Sequence, residues 1–119
     1  MSYDNENIFA KILRGEIPCN KHDECDHTLA FHDIQPQAAT HILVIPKGAY
    51  VDMSDFAANA SAKEQSAFIE AIGRAARLAG LDEGGYRIIS NIGANGHQEV
   101  PHLHMHIPGG EPIGPLRAR

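Results

Sequence analysis

The sequence predicts an α+β fold, an antiparallel sheet of about five strands with one long and one short helix. Three features point there. Over residues 61–79, Phe68, Ile69, Ile72, Ala75, Ala76 and Ala79 recur at helical spacing and form one continuous stripe. Short apolar runs bounded by Gly, Pro and Asp lie on both sides of that helix. The 119 residues contain no linker, repeat or low-complexity tract, so the chain reads as a single domain over 1–119.

The short helix comes first. Ile8, Phe9, Ile12 and Leu13 mark one face of residues 8–13; Asn5 or Asn7 caps its start, and Gly15 followed by Pro18 ends it. Strands are expected at 20–23 and 28–32, with the charged 23–26 segment turning between them. Residues 34–38 read as a loop. The run 41–45 is a strongly apolar central strand, stopped by Pro46 and Gly48. The long helix opens with Ser61-Ala62-Lys63-Glu64, a capping box in which Ser61 and Glu64 satisfy backbone donors, and closes at Gly80. Its stripe narrows to alanines, which permits close approach of a sheet. Strands at 86–90 and 100–107 complete the sheet, and the tail 108–112 is expected to be irregular.

Charge narrows the function. Ten basic residues against fifteen acidic ones leave a net charge of −5, which argues against a nucleic-acid polymer, a partner that demands a basic face. The polar, acidic start does not resemble a secretory signal, and the apolar run 42–45 is far too short to span a bilayer, so no membrane association is expected. Cys19 and Cys25 form no Cys-x-x-Cys pair and read as reduced thiols of a cytoplasmic protein.

The chemistry concentrates at His102, His104 and His106. Along a strand, side chains alternate faces, so these three project from one side while Leu103, Met105 and Ile107 face a core. Alternate imidazoles suit two tasks. They ligate a metal, with His41, His97 and Glu99 as candidate further ligands, or they handle phosphate, one attacking phosphorus while its neighbours bind oxygens or move protons. The preceding loop, 91–99, favours phosphate. Its two glycines let backbone N–H groups approach an anion, and its amides can hydrogen-bond phosphoryl oxygens. His22, Cys25 and His27 look superficially like a second cluster, but they straddle the charged turn and are expected to face solvent.

Taken together, His102-Leu103-His104-Met105-His106, the preceding Gly96-His97-Gln98-Glu99-Val100, the segments 29–34 and 40–47, and the opening Ile8-Phe9-Ala10-Lys11-Ile12 resemble the histidine triad (HIT) family, in particular its Hint-like branch of nucleoside phosphoramidate hydrolases. The likeness spans nearly the whole chain in order. It implies that His104 is the nucleophile at the α-phosphorus of a purine nucleotide, that His102 holds and orients it, and that His106 lies near the phosphate or leaving group. His41 is implied as a further site histidine and Asp33 as the ribose acceptor. Ile8, Phe9, Ile12, Phe31 and Ile34 would form the purine slot, and Asn91 and Gln98 would serve the phosphate side. The resemblance also implies a homodimer, with no cofactor and no metal. Cleavage of a dinucleoside polyphosphate, nucleotidyl transfer on the same scaffold, and a non-catalytic nucleotide-binding protein stand as alternatives, as does a metal-binding module. Glu99 replaces a serine of animal relatives and His97 a small residue. Because an inward carboxylate would repel an anionic ligand, the reading leaves Glu99 out of the site.

Overall fold

A computed structural model describes residues 3–116; residues 1–2 and 117–119 of the expected domain lie outside the described residues. The element order is α1 (Ile8–Leu13), β1 (Lys21–Glu24), β2 (Thr28–His32), β3 (Thr40–Pro46), α2 (Met53–Asn59), α3 (Ala62–Leu78) and β4 (Met105–Gly109). The strands form one antiparallel sheet in the order β1-β2-β3-β4. This is the predicted fold class, with the strand count slightly lower.

The helix ends follow their sequence signals. The Asn7 side chain accepts from the Ala10 N–H at 2.9 Å and starts α1. Ser61 accepts from the Glu64 N–H, and Glu64 accepts from the Ser61 N–H, closing the capping box of α3. At the far end Gly80, at φ +74°, lets its own N–H reach the Arg77 carbonyl and the Leu81 N–H reach Ala76. The buried stripe of α3 is Phe68, Ala71, Ile72, Ala75 and Ala76. Ile69 is a correction. It lies 66% exposed, since one residue's rotation carries it off the stripe that Ala71 completes.

Helix α2 was not foreseen, although Asp52 caps it by accepting from the Asp55 N–H at 2.8 Å and Phe56 packs edge-to-face on Phe68. Its seven residues are too few to show a stripe. Two expected strands also change. Segment 86–90 lies antiparallel beside β4, yet it makes only isolated bridges, Tyr86 to Gly109 and Ile89 to His106. The cause is Pro108, whose carbonyl accepts from the Arg87 N–H at 3.1 Å but which has no N–H to return. Segment 100–107 becomes regular only from Met105, because Pro101 cannot donate to a ladder and the Leu103 N–H is spent on the Tyr50 carbonyl. Conversely, Pro108 and Gly109, expected in an irregular tail, belong to β4.

The sheet separates two apolar clusters. Ala30, Ile42, Val44, Met105 and Ile107 face α3, while Leu29, Phe31, Leu43 and Ile45 face Phe9 of α1. Among the described residues, no helix is long and apolar enough to cross a membrane.

Candidate functional site: a histidine cluster beside an apolar slot

Strand periodicity places the cluster. In β3 the alternation that turns Ile42 and Val44 toward α3 turns His41, Leu43 and Ile45 to the opposite face. Leu43 pairs with His106 across the β3–β4 ladder, so His106 shares that face, and His104 lies two residues earlier. His41, Leu43, His104 and His106 open onto a cavity of about 560 Å³, the size of a small-molecule site. Ile8, Phe9, Ile12, Phe31 and Ile34 line one part of it, and Asp33, Asn91, His41, His104 and His106 line the polar part. Ten of the twelve residues singled out from the sequence therefore converge on one space.

The remaining two, His102 and Gln98, do not line the cavity, and for Gln98 this corrects the expected place on the phosphate side. His102 is fully buried outside the cavity lining, with both ring nitrogens engaged. Its Nε2–H donates to the Pro46 carbonyl at 2.9 Å, and its Nδ1 accepts from the Tyr3 hydroxyl. What it offers the site is its backbone carbonyl, which accepts from His104 Nδ1 at 2.7 Å. Gln98 is likewise used internally. Its amide donates to the Val51 and Val100 carbonyls at 2.7 and 3.0 Å, and its oxygen accepts from the Gly93 N–H at 3.0 Å. It braces the 91–100 loop instead of reaching the cavity.

These bonds assign the protons. With His104 Nδ1–H committed to the His102 carbonyl, Nε2 keeps its lone pair, and Phe9 packs edge-on against the ring with centroids 5.0 Å apart. His41 Nδ1 accepts from the Gln37 N–H at 3.0 Å, so its proton sits on Nε2, which donates to His106 Nδ1 at 3.0 Å. His106 must then carry its own proton on Nε2. Asp33 Oδ2 stands 3.5 Å from His41 Nε2, while Asp33 Oδ1 accepts from the Gln35 N–H in a tight turn. The Ser90 hydroxyl donates to the His104 carbonyl at 3.1 Å, which ties the backbone of His104 to the edge segment.

All four imidazoles favour the neutral form. Burial is the leading cause throughout. It pushes His102 down to about 4 against the opposing Pro46 bond, and His106 to about 4 with help from His104 and His41. His41 and His104 shift in the same direction, partly countered by Asp33. One lone-pair nitrogen and one N–H donor thus face the cavity without needing a proton from solvent.

Some lining residues were missed from sequence. Glu99 and His97 lie at the mouth, Nε2 to Oε1 3.1 Å apart, and Cys19, Gln37 and Leu43 contribute to the walls. Leu43 was recoverable, because the period of two that selects His41 selects it too. The expected solvent exposure of His22 is corrected as well, for its Nε2–H reaches the Ala75 carbonyl at 2.9 Å. As for metals, Asp33, His41 and His106 bring one donor atom each within 4.8 Å of one another, an N/N/O set that a transition metal accepts. His97 and Glu99, the other metal candidates, are paired with each other at the rim.

Comparison with known proteins bears on this arrangement. The HIT domain family model matches residues 14–113. A HIT-like protein of Azospirillum brasilense is 60% identical over 115 residues, covering 97% of this chain and 94% of the relative. The purine nucleoside phosphoramidase of Escherichia coli is 45% identical over 116 residues, covering 95% and 94%. Among solved structures, a histidine triad protein from Clostridium difficile superimposes with a TM-score of 0.84 at 39% identity, covering 98% of this chain and 100% of that one. A HIT family hydrolase from Clostridium thermocellum gives 0.85 at 34%, covering 94% and 96%.

Proposed function

This chain belongs to the HIT domain family, and from that membership we propose that it is a purine nucleoside phosphoramidase, a hydrolase that cleaves the P–N bond at a nucleotide's α-phosphate. The observation that carries the reading is the tautomer of His104. Its Nδ1–H is held by the His102 carbonyl, which leaves an unprotonated Nε2 beside an apolar slot sized for a base.

In the first step Nε2 of His104 attacks phosphorus, the P–N bond breaks with its electron pair going to nitrogen, and the amine departs after gaining a proton. In the second, water attacks phosphorus of the nucleotidyl-histidine, the P–Nε2 bond breaks, and a nucleoside monophosphate and neutral His104 are released. The water's proton replaces the one the amine removed, so the cycle balances. The His41–His106 pair conveys these protons, and Asp33 favours positive charge on it. Phosphoryl transfer relies mainly on positioning and charge stabilisation, which the converging imidazoles and the Asn91 amide supply. Ile8, Phe9, Ile12, Phe31 and Ile34 hold the purine, Asp33 accepts from the ribose hydroxyls, and Asn91 bonds the phosphate. His102 and Gln98 act as supports, one orienting His104 and the other bracing the loop.

The reading includes a homodimer in the cytoplasm. The edge segment beside β4 leaves Ile88 52% and Tyr86 38% exposed, an apolar margin suited to a second copy. The decisive test is His104→Ala assayed with adenosine 5'-phosphoramidate. Turnover should vanish while AMP affinity stays within about tenfold, roughly 1.4 kcal/mol. Wild-type turnover in that variant would refute the reading.

A further inference from the structure

The cavity mouth carries charges that the base slot and the imidazole cluster leave unused. His97 adopts φ +59°, a left-handed conformation, with its N–H bonded to the Ala94 carbonyl at 3.1 Å. The loop is folded tightly on itself there: a side chain at Gly96 would lie 2.4 Å from the Ile92 carbonyl oxygen. Gln98 pins the next residue to Val51, and Val100 packs against the Phe9 cluster. Between these anchors Glu99 is held on the cavity wall, and its charge favours protonation of both His104 and His106. Among the described residues that line the cavity there are two carboxylates, Asp33 and Glu99, and no lysine or arginine.

The phosphoramidase reading, on which this inference rests, assigns the base to the apolar slot and the ribose to Asp33. In-line attack by His104 sends the leaving amine away from Nε2. Asp33 being taken by the ribose, the lining carboxylate still unassigned is Glu99, paired with His97 at the rim. We propose that this pair is the leaving-group subsite and that it selects nucleoside phosphoramidates whose amine bears a second, positively charged group. Anionic leaving groups, polyphosphates included, are disfavoured for the same reason. Glu99 is 76% exposed, so the selection is modest and salt-sensitive.

The test uses three adenosine phosphoramidates whose leaving amines match in length but end in an ammonium, a hydroxyl or a carboxylate. At low salt kcat/KM should fall in that order, by about fivefold per step. In Glu99→Gln the three values should converge, and added salt should compress the wild-type ratios in the same way. Equal wild-type rates, or an order that survives unchanged in Glu99→Gln, would overturn the subsite while leaving the phosphoramidase reading intact. Failure of the wild type to turn over any of the three would instead overturn that underlying reading, and the inference with it.

Discussion

Acidification should expose the cost of keeping His102 neutral in the interior. The ring is fully buried, held at one nitrogen by the Tyr3 hydroxyl and at the other by the Pro46 carbonyl. Protonation requires Nδ1 to donate where it now accepts, in a place without water to solvate the charge. Its pKa accordingly falls from 6.5 to about 4. The unfolded chain takes up the proton as pH drops through 6.5, whereas the folded chain resists until about 4, so stability is lost as pH falls across that window. Between pH 7 and pH 5 the loss from this one ring is about 2 kcal/mol. With a urea m-value of about 1.5 kcal/mol/M, the unfolding midpoint should drop by roughly 1.3 M on its account. His102→Gln removes the titration, so its midpoint should decline with pH more shallowly than the wild type's by that amount, whatever stability the substitution itself costs. The remaining slope belongs to His41, His104 and His106, which burial shifts in the same direction. Parallel wild-type and variant curves between pH 7 and pH 5 would show that His102 is not held neutral by burial, and the argument would fail.

Two other outcomes follow from the same contacts. Because burial lowers the pKa of His104, the acid limb of kcat/KM for adenosine 5'-phosphoramidate should lie below pH 6.5 and the rate should be flat from pH 7 to 8; a limb above 6.5 would contradict a neutral nucleophile. Gln98→Leu strands the Gly93 N–H and the Val51 and Val100 carbonyls, so urea unfolding should show a loss of about 1–3 kcal/mol; unchanged stability with weakened AMP binding alone would mean that Gln98 contacts the ligand after all.

Much of the molecule was legible in the chain because its signals are local. The capping box at Ser61, the Gly80 terminus and the stripe through Phe68 and Ala76 each depend on residues within a few positions of one another. Alternation in the histidine segment placed His104 and His106 on one face and Met105 and Ile107 on the other, since the strand period of two is a property of the backbone. The family resemblance added the pairing of that segment with His41 and the slot of Phe9 and Phe31, and the cavity assembles those residues.

Other features depended on contacts between residues distant in sequence. Nothing near His102 announces that Tyr3 and Pro46 occupy both its nitrogens, partners 99 and 56 positions away. Gln98 looks like a phosphate ligand until Val51, 47 positions earlier, claims its amide. Glu99 looked misplaced beside an anion until the loop set it on the mouth with His97. Residue type and period therefore determined which elements form and which faces carry imidazoles. Tertiary packing decided which polar groups remain free to act, because a buried donor or acceptor must find a partner and the nearest one in space is seldom the nearest in sequence.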